Sequence, residues 1–168
     1  TVSPYMGPKS IMPFLENRNN GVYVLCKTSN TGSDVIQNVL VSKDSKKKSV
    51  LPLYEHIAEI FVEFDVRNQI GLVVGGNCKD ELQTIHRRFP STPLLLPGIG
   101  SQGGKIEEVA SIIDDYDENA EARNSIEKHN NDLVNVSRSV IYASNGKDWK
   151  EAAGKKAKTF NLKLGSGL

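Results

Sequence analysis

Short apolar runs rich in branched residues alternate along the chain with longer amphipathic stretches. The runs at 22–26, 70–74, 94–96 and 133–136 are apolar almost without interruption, and residues 1–3 read as the end of another. A strand buried on one face would alternate; continuous runs are expected of parallel strands covered on both faces. Pro8 fits the first turn of a helix carrying Ile11, Phe14 and Leu15, which Pro13 keeps short or kinked. Residues 49–66 hold the best helical stripe, with Leu53, Ile57, Ile60, Phe61 and Phe64 at spacings of three and four. Leu82, Ile85 and Phe89 mark a short helix over 80–89, and Ile106, Val109, Ala110 and Ile113 mark the next. The last covers 149–160, with Ala152, Ala153, Ala157 and Phe160 inward. This repeat predicts an α/β fold with a parallel sheet.

Composition narrows the class. The 168 residues suffice for one domain with a sizeable core, and 38% hydrophobic with 24% charged residues is ordinary for a soluble globular protein. A net charge of +1 points to neither a nucleic-acid nor a membrane surface. No apolar run approaches the ~18 residues of a membrane span, and no stretch of these residues reads as a signal peptide. Cys26 sits in an apolar run and is expected to be a buried thiol; Cys78 follows Gly75-Gly76-Asn77 and reads as a loop residue. Neither has metal-ligand spacing and no disulfide framework is suggested, so a reducing, cytoplasmic setting is expected. Two stretches read as solvated inserts: 42–49, with five charges of which four are lysines, and 114–132, acidic and then Asn-rich. Thr1-Val2 reads as the tail of a strand already under way, so the chain is expected to be part of a longer protein.

No Gly-x-Gly-x-x-Gly opens a helix after a first strand, which leaves a Rossmann nucleotide site unsupported. Glycines and small polar residues instead gather after strands, where barrel enzymes keep their chemistry. Pro97-Gly98-Ile99-Gly100-Ser101-Gln102-Gly103-Gly104 has four glycines in eight residues, so its backbone can turn tightly and approach a ligand; a helix starts just beyond. Such a loop suits an anion. Val136-Ser137-Arg138-Ser139 ends the last strand, where an arginine can offer a two-pronged fork to phosphate. In Val24-Leu25-Cys26-Lys27-Thr28-Ser29-Asn30 a polar tip follows an apolar strand; Ser29 can hydrogen-bond a polar ring, while Leu25 points either away or into the mouth of a barrel. Singly these are a glycine turn, a surface arginine and a strand end. Three such clusters in one βα series carry more weight than any one.

The same strings, together with Thr1-Val2-Ser3-Pro4-Tyr5-Met6-Gly7 and Ile70-Gly71-Leu72-Val73-Val74-Gly75-Gly76, resemble orotidine 5′-phosphate decarboxylases, in order and over almost the whole chain. The resemblance implies an incomplete (β/α)8 barrel, with residues 1–168 supplying strands four to eight as the five C-terminal βα units. It implies that Gln102 and Arg138 contact a 5′-phosphate, that Ser137 offers a backbone N–H, and that Ser29 recognises the pyrimidine edge. Pro97 would line the ring pocket and Leu25 its apolar wall. Thr31 and Ser101 depart from the family's usual Pro and Ala, which bears on loop shape.

The reaction so implied converts orotidine 5′-phosphate to uridine 5′-phosphate and CO2 in pyrimidine biosynthesis, with no metal or organic cofactor and with a homodimer as the complete protein. Its catalytic Asp-x-Lys-x-x-Asp motif is expected upstream of Thr1. Asp44-Ser45-Lys46-Lys47-Lys48-Ser49 ends in Ser within an insert and reads as coincidence. The isolated chain is therefore expected to be inactive and, with two apolar sheet edges open, poorly soluble or self-associating. The competing readings are another phosphate-binding barrel, such as a hexulose-phosphate synthase or a phosphoribosyl isomerase, and a non-catalytic nucleotide-binding module.

Overall fold

Strand and helix alternate much as the hydrophobic pattern predicts. In the computed structural model, which describes residues 1–42, 50–114 and 132–165, two 3-10 turns, Pro4–Met6 and Pro8–Ile11, lead into α1, Met12–Leu15. Then come β1 (Val22–Lys27), α2 (Asp34–Gln37), β2 (Leu40–Ser42), β3 (Val50–Pro52), α3 (Leu53–Phe64) and β4 (Ile70–Val74). The rest is α4 (Lys79–Arg88), β5 (Leu94–Leu96), α5 (Ile106–Asp114), β6 (Leu133–Val134), α6 (Arg138–Ile141) and α7 (Trp149–Gly165).

The main sheet runs β1-β4-β5-β6 with every pairing parallel. Val2 extends it by one position: its N–H donates to Tyr23 O at 2.9 Å and its carbonyl accepts from Leu25 N at 3.0 Å, beside Val24. Residues 1–3 thus lie where a strand end is expected. Each neighbour in this sheet is the next main-sheet strand along the chain, the order that successive βα units produce.

The two faces of the sheet differ. Val22, Val24, Cys26, Ile70, Leu72, Val74, Leu94 and Leu96 form the helix-covered core with Tyr54, Ala58 and Phe61 of α3, Leu82 and Ile85 of α4, and Ile106 and Val109 of α5. Fully burying such a side chain is worth about 1.5–3 kcal/mol. The alternate residues point to the other face. There the register aligns Leu25 with Val73, Val73 with Leu95 and Leu95 with Leu133 in one apolar row. Leu25 therefore faces away from the helices.

Several elements differ from their predicted form. The helix expected over 49–66 starts only at Leu53, because Pro52 disfavours helical backbone at the residue before it. Val50–Pro52 instead pairs antiparallel with Leu40–Ser42. The buried stripe of α3 is Tyr54, Ala58 and Phe61, with Ile57, Ile60 and Phe64 at its margins and Leu53 off the core. Phe14 is exposed, since Ile11 and Leu15, four apart, already fill the inward side. The strand expected over 133–136 is Leu133–Val134 alone, although Val136 still packs on the core. The last helix runs on to Gly165 and leans on the core through Phe160 and Leu164, which leaves Ala157 exposed. Of the two inserts read as solvated loops, residues 43–49 and 115–131 lie outside the described residues, as does the string from Asp44 to Ser49.

Candidate functional site

The C-terminal ends of β1, β4 and β5 carry loops that lock together. Two of the residues singled out from sequence meet directly: Ser29 Oγ donates to Gln102 Oε1 at 2.8 Å. Ser29 follows β1 and Gln102 follows β5, so the contact passes over the loop of β4, which lies between them in the sheet. That loop is Gly75-Gly76, and both positions need to lack a side chain. A Cβ on Gly75 would stand 2.9 Å from Ser29 N, and one on Gly76 would stand 2.8 Å from Ile99 Cγ1. Backbone bonds tie the three loops, from Gly75 N to Lys27 O at 2.8 Å and from Gly76 N to Pro97 O at 2.6 Å. Asn77 completes the junction: Nδ2 donates to Ser29 O and to Gln102 O, each at 3.4 Å. Asn77 was not singled out from sequence; its place after the glycine pair was the available signal.

The glycine loop after β5 is braced by its own amides. Gly100 N donates to Gly104 O at 2.8 Å, Gly103 N to Gly100 O at 3.0 Å and Gly104 N to Gly98 O at 3.1 Å. These three N–H groups are spent on the turn. Gly98 has φ +92° and lies against Ser29 and Gln102, which draws Pro97 to the same junction. Gly100, at φ +80°, abuts Ser139 Oγ and so joins this loop to the end of β6.

Ser137 and Arg138 stand at that end. Ser137 Oγ donates to Asn135 Oδ1 at 3.1 Å. Arg138 opens α6 with an exposed guanidinium that forms no ion pair among the described residues. Leu25, half-buried, lies on the sheet face that carries these loops' strands away from the helices. The structure thus brings Ser29 and Gln102 into contact, with Pro97 at the same junction, and joins the segment that carries Ser137 and Arg138 to the glycine loop through Gly100 and Ser139.

Beneath the Ser29 loop lies a buried cation that sequence reasoning missed. Lys27 is 1% exposed; its ammonium pairs with Asp34, donates to Asn38 Oδ1 at 3.1 Å and lies 3.7 Å from Glu81 Oε1. A lysine closing an apolar strand gave no warning of this. Cys78 caps the start of α4, half-buried as a loop residue should be, and burial followed by the nearby Glu81 carboxylate pushes its thiol up. Among the described residues no group of His, Cys, Asp and Glu side chains could hold a metal ion. No described helix is long and apolar enough to cross a membrane.

The chain is similar to known proteins in sequence and fold. The orotidine 5′-phosphate decarboxylase of Herpetosiphon aurantiacus is 42% identical over 161 residues, covering 95% of this chain and 52% of the relative. That of Halobacterium salinarum is 38% identical over 166 residues, covering 98% of this chain and 56% of the relative. Among solved structures, Leishmania donovani UMP synthase matches at TM-score 0.70 and 31% identity, over 96% of this chain and 32% of its own. Leishmania donovani OMP decarboxylase matches at TM-score 0.67 and 28% identity, over 96% and 55%. The chain spans about half the length of the curated relatives it matches. A family model matches residues 1–153, and the chain belongs to the orotidine 5′-phosphate decarboxylase / HUMPS family.

Proposed function

We propose that this chain is the phosphate- and pyrimidine-recognising part of an orotidine 5′-phosphate decarboxylase, which converts orotidine 5′-phosphate to uridine 5′-phosphate and CO2. The observation that carries the reading is the junction of Ser29 with Gln102, a ring-recognising and a phosphate-recognising residue held in one hydrogen bond. Gln102 and Arg138 hold the 5′-phosphate, and Ser137 adds a backbone N–H. Ser29 takes the pyrimidine edge, with Pro97 and Leu25 lining the ring. On this reading the parallel strands are a consecutive run of a (β/α)8 barrel whose loops meet at the C-terminal face. Lys27-Thr28-Ser29-Asn30 combined with Gln102 supports a decarboxylase over other phosphate-binding barrels.

In the reaction the bond to the carboxylate breaks, its electron pair stays on the ring carbon, and a lysine supplies the proton that replaces CO2. No cofactor takes part. The 168 residues contain no Asp-x-Lys-x-x-Asp string, so this chain by itself holds the nucleotide without turning it over. The complete protein works as a cytoplasmic homodimer, and binding energy gathered at the phosphate is used at the remote ring carbon.

Calorimetric titration with uridine 5′-phosphate tests the reading. Arg138→Ala should cost about 1.5–3 kcal/mol, the loss of a charge-assisted pair. Unchanged affinity would remove Arg138 from the site, and no binding by the unaltered chain would sink the reading.

A further inference from the structure

The single turn α2 is packed inside out. Its apolar residues Val35 and Ile36 lie in solvent, 78% and 66% exposed, while Gln37 is half-buried against the loop after β1 and Asp34, itself largely exposed, reaches the buried Lys27 ammonium. Hydrophobic burial therefore does not dock it, and polar contacts to β1 and its loop must. Asp34 and Asn38 take the buried Lys27 ammonium. Gln37 takes the next residue at two points. Thr28 N donates to Gln37 Oε1 at 2.9 Å, and Gln37 Nε2 donates to Thr28 Oγ1 at 3.1 Å. Ser33 Oγ donates to Thr28 O at 3.1 Å. The N–H, hydroxyl and carbonyl of Thr28 are thus all held from residues 33–37, and the next residue is Ser29.

We propose that Gln37 is a positioning residue: its carboxamide clasps Thr28 and so fixes where Ser29 meets the pyrimidine edge. The proposal rests on the nucleotide-binding function inferred above. It assigns Gln37 to the ring half of recognition and not to the phosphate half, because the clasp acts on the loop after β1, while Gln102 and Arg138 stand on those after β5 and β6. A partly held loop would present the Ser29 hydroxyl over a range of positions, and affinity for the ring would fall by the fraction of time it is misplaced.

The test compares two ligands, uridine 5′-phosphate and ribose 5-phosphate, which carry the same phosphate with and without the ring. Gln37→Leu removes both bonds to Thr28 and should weaken uridine 5′-phosphate about tenfold, as for loss of one or two neutral hydrogen bonds, with ribose 5-phosphate unaffected. Gln37→Glu keeps the acceptor for Thr28 N and can accept the Thr28 hydroxyl proton, so it should restore most of the affinity. Thr28→Val, which loses only the hydroxyl, should show a smaller loss confined to uridine 5′-phosphate and serves if Gln37→Leu does not fold. Equal losses on both ligands, or unchanged affinity for uridine 5′-phosphate in Gln37→Leu, overturn the proposal. An unaltered chain that binds neither ligand overturns the functional reading and this inference with it. A chain that binds both, with variants lacking the selective loss, overturns the inference alone.

Discussion

Ser29 Oγ and Gln102 Oε1 lie 2.8 Å apart across 73 positions of sequence, and the strand between theirs in the sheet does not keep them apart. Strand ends two places apart stand about 10 Å from one another. The gap closes because the intervening loop is Gly75-Gly76, with no side chain in the way, and because Asn77 draws both backbones in from behind. Ser29 and Gln102 are therefore coupled side chain to side chain through one hydrogen bond.

This coupling is measurable. Ser29→Ala and Gln102→Ala should each weaken uridine 5′-phosphate binding, and the double variant should lose less than the sum. The interaction energy of the cycle should be about 0.5–1.5 kcal/mol, the net worth of one neutral hydrogen bond. Strict additivity in calorimetric titrations would mean that the two side chains act on the ligand independently.

A second outcome concerns Gly100. Its φ of +80° lies in the left-handed region, and an added Cβ would run into Ser139 Oγ. Backbone strain of this kind costs about 1–3 kcal/mol, and forcing a methyl into an occupied place costs about 1–3 kcal/mol more. Gly100→Ala should lower stability in urea by several kcal/mol. Combining it with Ser139→Gly should recover the steric share and leave the strain. If the double variant is no more stable than Gly100→Ala, the contact with Ser139 is not what excludes a side chain there.

The sheet was legible because β4 is apolar at all five positions, and a run of that kind has few alternatives to a buried parallel strand. Of the residues singled out from sequence, Ser29 and Gln102 do come together, and the signal for each was that it lies in a polar or glycine-rich segment after an apolar strand. What the pattern could not give was contact between loops that are not neighbours, since that depends on Gly75-Gly76 being bare. The start of α3 was misplaced because a helical stripe was followed through Pro52, against that residue's own backbone preference. The docking of α2 was hidden for the opposite reason. Val35 and Ile36 suggest an inward apolar face, and the polar contacts to Lys27 and Thr28 reverse it.

The last prediction lies in the core. Cys26 is buried beneath α3, its thiol donating to Tyr54 O at 3.2 Å, and burial, with the Glu55 carboxylate nearby, pushes it up from 9.0 to about 12. Between those values the unfolded chain has lost the thiol proton and the folded chain keeps it. The folded state then binds more protons, so the free energy of unfolding must fall as pH rises. The slope reaches about −1.4 kcal/mol per pH unit well inside that window and vanishes below it. Tyr54 and Tyr23 are also raised by burial and add slopes of the same sign, so the unaltered chain alone cannot isolate the thiol. Cys26→Ala removes it and leaves both phenols in place. Urea unfolding followed from pH 8 to 10.5 should show the two proteins running parallel at first and then converging, as the unaltered chain loses its advantage more steeply. Parallel curves throughout would mean that the thiol is ionised as readily in the folded chain as in the unfolded one, which a side chain sealed between β1 and α3 does not allow.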